Sequence, residues 1–102
     1  MMTIERRGSA GLVRLHGKVD HDLVAQLDRE TAGTAPLLVH WGDVSYVSSS
    51  GLAGLAKLGT TRDLRLVALP QKISQVIGLA GLDRILQIFP DEAAAGFAER
   101  NA

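Results

Sequence analysis

The chain has 102 residues, eleven basic and eleven acidic side chains, and no cysteine. That length is one domain's worth and too short for a deep substrate cleft. The balanced charge offers no basic excess for nucleic acid or an anionic membrane, and the missing cysteines exclude disulfides, thiolate metal sites and a cysteine nucleophile. At 46% hydrophobic the chain is too apolar for disorder, and with only 4% aromatics its core must be built from Leu, Val, Ile and Ala. Met1 to Arg7 is charged and precedes no long apolar run, so it does not read as a signal peptide. No stretch approaches the ~18 apolar residues of a membrane span, and a cytoplasmic location is expected.

Thr3 to Arg7 is a candidate first strand, joined through Gly8 to Gly11 to a second. From Leu12 to His16, Val13 and Leu15 alternate with Arg14 and His16, the period of a half-buried strand. Gly17 ends it. Asp20 or Asp22 can cap a helix, because a carboxylate accepts from first-turn N–H groups; Leu23, Val24, Leu27 and Thr31 follow at helical spacing up to Gly33. Leu37 to Trp41 is apolar on both faces and reads as a central strand, broken at Gly42-Asp43. Val44 to Val47 is a short extended connection into Ser48-Ser49-Ser50-Gly51. A helix then carries Leu52, Leu55 and Ala56 on one face, with Thr60 to Asp63 as a turn. Leu64 to Leu69 is a strand ended by Pro70. Ile73, Val76, Ile77 and Ala80 mark a helix that Gly81 can close in the left-handed conformation. Leu86 to Phe89 is a last strand, and Pro90-Asp91-Glu92 opens a final helix carrying Ala94, Phe97 and Ala98.

Alternating strands and helices predict an α/β domain with a mixed, mostly parallel sheet of four to five strands, an antiparallel edge at the N-terminus, and about four helices packed against it. No repeat or internal linker divides residues 1–102, so a single domain is expected.

The serine triplet lies where a strand-derived loop enters a helix. A cap is the plain explanation: a serine hydroxyl accepts from a first-turn N–H, and glycine tolerates close approach. The same place suits a phosphate, since a helix N-terminus offers free N–H groups and partial positive charge. His16, His21 and His40 match no compact metal spacing. Neither a Walker loop nor a dinucleotide fingerprint is present, so the chain is not expected to supply its own ATP, and no cofactor is implied. Ser49 does not stand in a Gly-x-Ser-x-Gly elbow, and no base is placed to activate it, so an enzyme is not expected.

Three runs taken together are more specific: Val13 to His21, Asp43 to Leu52, and Val76 to Leu82. In this order, over nearly the whole chain, they resemble the STAS domain, shared by bacterial anti-sigma factor antagonists and the cytoplasmic tails of sulfate transporters. Ser49-Ser50-Gly51-Leu52 match the last four places of the family motif Asp-Ser-Ser-Gly-aliphatic. The resemblance implies a protein that binds an anti-sigma factor, itself a serine kinase holding ATP or ADP, and so releases a sigma factor. It also implies phosphorylation of Ser49, which ends the binding, and a phosphatase that reverses it. Ser48 and Ser50 rank behind Ser49 as acceptors. Gly17-Lys18-Val19-Asp20 corresponds to the family's Gly-x-Leu-Asp loop and would set Asp20 beside the acceptor. The partner surface would then comprise Asp20, His21, Ser48, Ser50, Gly51 and Leu52, with Lys57 at its rim. One departure stands out: Ser48 replaces the family's Asp. Small STAS proteins also resemble a subunit of a bacterial phospholipid-transport complex, which binds an ABC ATPase without a phosphorylation cycle. No nucleic acid and no membrane insertion are implied.

Overall fold

A computed structural model describes residues 2–96. Five strands form one sheet in sequence order, β1 (Met2–Arg7), β2 (Ala10–Val19), β3 (Leu37–Val47), β4 (Leu64–Val67) and β5 (Gln87–Phe89). The β1–β2 hairpin is antiparallel and all later pairings are parallel. The crossovers carry α1 (His21–Glu30), α2 (Ser49–Thr61) and α3 (Gln71–Leu79), the last followed by a 3-10 turn at Leu82–Arg84.

The pleat explains the layers. Val13 and Leu15 of β2, Leu37, Val39 and Trp41 of β3, and Leu64 and Leu66 of β4 point to one face. There they meet Leu23, Val24 and Leu27 of α1, Leu55 and Leu58 of α2, and Ile73 and Ile77 of α3. Each such leucine or isoleucine contributes roughly 1.5–3 kcal/mol on burial. The alternate residues Leu12, Leu38 and Val67 face the other way and are covered by Ala95. β3 lies at the centre of the sheet, buried on both faces, as its unbroken apolar run predicts.

Several details differ from the sequence reading. β2 continues through Gly17 to Val19, where the strand was expected to end, and α2 continues through Thr60 and Thr61, which were expected in a turn. Three more concern the sheet and its ends. First, β3 runs through Gly42-Asp43 instead of stopping there. Arg14 pairs with His40 but His16 with Asp43, and Gly17 pairs with Val44 but Lys18 with Tyr46. Each step inserts one extra residue in β3, a β-bulge, and bulges let a strand absorb a glycine without ending. The inward positions are therefore Trp41, Val44 and Val47, spaced by three where a regular strand spaces them by two. Second, β4 stops at Val67, because Ala68 turns into the left-handed region at φ 58°. Third, Asp91 to Gly96 form turns where a final helix was expected to begin, leaving three α-helices among the described residues where about four were expected. Phe97 and Ala98, assigned to that helix, lie outside the described residues. Arg65 holds these turns down by donating from Nη1 to the Ala95 carbonyl at 2.7 Å.

Candidate functional site

The register of β2 and β3 builds the site. Val19 pairs with Val47, so the residues that follow them, Asp20 and Ser48, leave the sheet side by side. Each caps a helix. The Asp20 carboxylate accepts from the Leu23 N–H at 2.9 Å, which decides between Asp20 and Asp22 as the α1 cap. The Ser48 hydroxyl accepts from the Gly51 N–H at 3.0 Å and caps α2. The two junctions are tied by the Ser48 N–H, which donates to the Val19 carbonyl at 2.9 Å. Two helix N-termini thus converge at the carboxyl ends of two parallel neighbours.

Gly51 is where they touch. A Cβ there would stand 2.7 Å from the Val19 carbonyl oxygen and 3.2 Å from the Asp20 Cα. Both obstacles are backbone, so only glycine lets the first turn of α2 approach the β2–α1 junction this closely.

Within the triplet the hydroxyls divide their work. Ser48 and Ser50 hydrogen-bond to each other at 3.1 Å while Ser48 also caps the helix. Ser49, the first residue of α2, is exposed, and among the described residues its hydroxyl makes no hydrogen bond. The first turn of α2 holds no acidic side chain, so the partial positive charge of its N-terminus meets a neutral hydroxyl where an Asp would have offered a carboxylate. Leu52 is half-buried against the core and Leu55 is fully buried. His21 is exposed at the start of α1, and Tyr46 is exposed two residues before Ser48.

Other sequence candidates lie elsewhere. His16 and His40 sit on the sheet face away from the helices: His16 Nδ1 is 3.5 Å from Asp43 Oδ2, and His40 Nδ1 accepts from the Gly42 N–H at 3.2 Å. Among the described residues no cluster of three or more metal-ligating side chains occurs. No helix among them is long and apolar enough to cross a membrane. The Asp63 carboxyl is held below its ordinary value, chiefly because Arg65 donates to it from Nε and Nη2, and also because Gln87 does; burial opposes them.

Sequence reasoning missed a groove of about 340 Å³ between α1 and α2, floored by Val24, Ala25, Gly54 and Leu58. Its helical spacing was visible, but its shape depends on how closely two helices pack. The Lys57 expected at the rim of the partner surface lines this groove and is exposed.

The profile of the Mlab STAS-domain family matches residues 2–88. The chain belongs to the STAS-domain family. No curated protein matches its sequence. This STAS domain superposes on the NMR structure of the protein TM1081 with a TM-score of 0.80 at 18% identity, over 100% of this chain and 90% of that one. The crystal structure of tm1081 from Thermotoga maritima, described as a candidate anti-sigma factor antagonist, gives 0.77 at 14% identity over 93% and 91% of the two chains. The anti-sigma factor antagonist SpoIIAA in its unphosphorylated form gives 0.71 at 19% identity, over 93% of each chain. At such identities the likeness is one of fold: this STAS domain has the SpoIIAA-like arrangement.

Proposed function

We propose that this STAS domain is a regulatory binding protein of the anti-sigma factor antagonist type, which docks on an anti-sigma serine kinase and so releases a sigma factor. Ser49 is the phosphoacceptor, and a phosphatase restores the binding form. The observation that carries this reading is the freedom of the Ser49 hydroxyl: it is exposed at the head of α2, while its neighbours Ser48 and Ser50 are engaged in the cap. A phosphate there adds about −1.5 to −2 charges at neutral pH to the middle of the docking surface, enough to repel an acidic or closely packed partner. Asp20, His21, Gly51 and Leu52 shape that surface without catalysing anything. ATP belongs to the partner.

The test is intact-mass analysis with phosphosite mapping of the protein purified from its own cells, paired with binding of the anti-sigma kinase. Ser49→Ala is expected to bind and stay unphosphorylated, and Ser49→Asp to bind poorly. Equal binding by both variants, or phosphate mapping to Ser48 or Ser50, would overturn the assignment.

A second reading is favoured by Ser48. With no carboxylate at that cap, the acceptor loop lacks the family's acidic group, and the matching family profile carries the Mlab name. In this reading the same surface docks on the ATPase of an ABC-type phospholipid transporter and is never phosphorylated. Co-purification of an ABC ATPase with an unmodified chain would select it.

A further inference from the structure

The groove between α1 and α2 joins the Ser49 surface. Ser50, Gly54, Lys57 and Thr61 follow one another at helical spacing of three or four, so one face of α2 leads from the serine triplet into the groove. His21, the first residue of α1 after the cap Asp20, lines the groove wall. The floor is apolar. Gly54 makes room for it, since a Cβ there would meet Val24 Cγ1 at 3.1 Å.

Charge at the rim is one-sided. Asp28 on α1 is neutralised by Arg62, whose Nη1 donates to Oδ1 at 2.9 Å. Lys57 makes no ion pair among the described residues. The groove therefore presents an apolar floor beside an unneutralised ammonium group. Its volume of about 340 Å³ is too small for a helix body, which is about 10–12 Å across, and large enough for one bulky side chain.

We propose that this groove is the anchoring pocket for the protein partner, taking one aliphatic or aromatic side chain that stands next to a carboxylate, with Lys57 pairing the carboxylate. This rests on the reading of the head of α2 as the docking surface and adds to it the chemistry of the partner. Ser49 is then the switch at one end of the interface, and the groove is the anchor at the other.

The first experiment needs no partner. Phenylbutyrate, phenylbutanol and phenylbutylamine are titrated into the full chain and followed by amide correlation NMR. Phenylbutyrate is expected to shift Ala25, Gly54, Lys57 and Thr61 saturably, with a dissociation constant of roughly millimolar order. The amine is expected to bind more weakly. Ala25→Phe, checked for folding by its thermal melt, fills the floor and weakens phenylbutyrate by about ten-fold, the equivalent of losing roughly one buried apolar group. Lys57→Glu keeps the floor and reverses the order of acid and amine. Shifts that map away from α1 and α2, equal response to acid and amine, or an Ala25→Phe variant that binds normally would each overturn the proposal. The second experiment uses the kinase. If it binds the wild type, unchanged binding by Ala25→Phe and Lys57→Glu also overturns the anchor. A kinase that does not bind at all counts against the antagonist reading, and the probe titrations still judge the groove.

Discussion

Gly51→Ala is the substitution that most directly tests how the site is built. The new Cβ would lie 2.7 Å from the Val19 carbonyl oxygen, against an ordinary carbon–oxygen contact of about 3.3 Å or more. The first turn of α2 must therefore retreat by roughly half an ångström. Overpacking of this kind costs about 1–3 kcal/mol. The retreat also stretches the Ser48 N–H···O=C Val19 bond, now 2.9 Å, whose net contribution is about 0.5–1.5 kcal/mol. Alanine returns about 1 kcal/mol of helix propensity. The sum is a loss centred on about 2 kcal/mol, within a span of about 0.5–3.5 kcal/mol, which for a domain of this size lowers Tm by roughly 10 °C. Gly78→Ala is the control: it is exposed in α3 with nothing within 4 Å of its Cβ position, and it should gain about 0.5 kcal/mol. Thermal melts followed by circular dichroism measure both. A Gly51→Ala variant that melts with or above the wild type would refute the close approach of α2 to the β2–α1 junction.

Three further outcomes are expected. Ser48→Ala removes the acceptor for the Gly51 N–H and should cost about 1 kcal/mol in urea unfolding, whereas Ser48→Asp should stay within a few tenths of the wild type. Arg62→Met strips donors from the Thr31 and Thr34 carbonyls beyond the end of α1, which Arg62 Nη2 reaches at 2.6 and 3.1 Å. Its side chain is only 16% exposed, so the loss should be about 2–3 kcal/mol; Arg62→Lys should recover only part of it, because one ammonium cannot reproduce the fork. The lowered pKa of Asp63 means that the folded state binds its proton less tightly than the unfolded chain. The stability this contributes is present above the unfolded value of about 4 and is lost as pH falls through the folded value. Urea midpoints of wild type and Asp63→Asn should therefore differ at pH 7 and converge on acidification; a gap that persists at low pH would contradict the link.

The alternation of Val13 and Leu15 with Arg14 and His16, the two-sided apolar run at Leu37 to Val39, and the helical recurrence of Leu23, Val24 and Leu27 are local signals, and each was legible in the sequence because burial acts on side chains with the period of their own backbone. The serine triplet was legible as a helix head for the same reason. The motif resemblance added the family, and residues 2–88 match its profile. The bulges in β3 were not legible, since Gly42-Asp43 carries the same residues whether a strand ends or bends there; the pairing with β2 decides it. That pairing sets Asp20 against Ser48, and close approach at Gly51 joins their helices. Which hydroxyl of three identical serines stays free was likewise settled only by the fold. Capping is a contest between neighbours for the same N–H groups, and Ser48, entering α2 in extended conformation, takes the Gly51 N–H and leaves Ser49 exposed. The groove beside it exists only where α1 meets α2, at a distance that no single stretch of sequence contains.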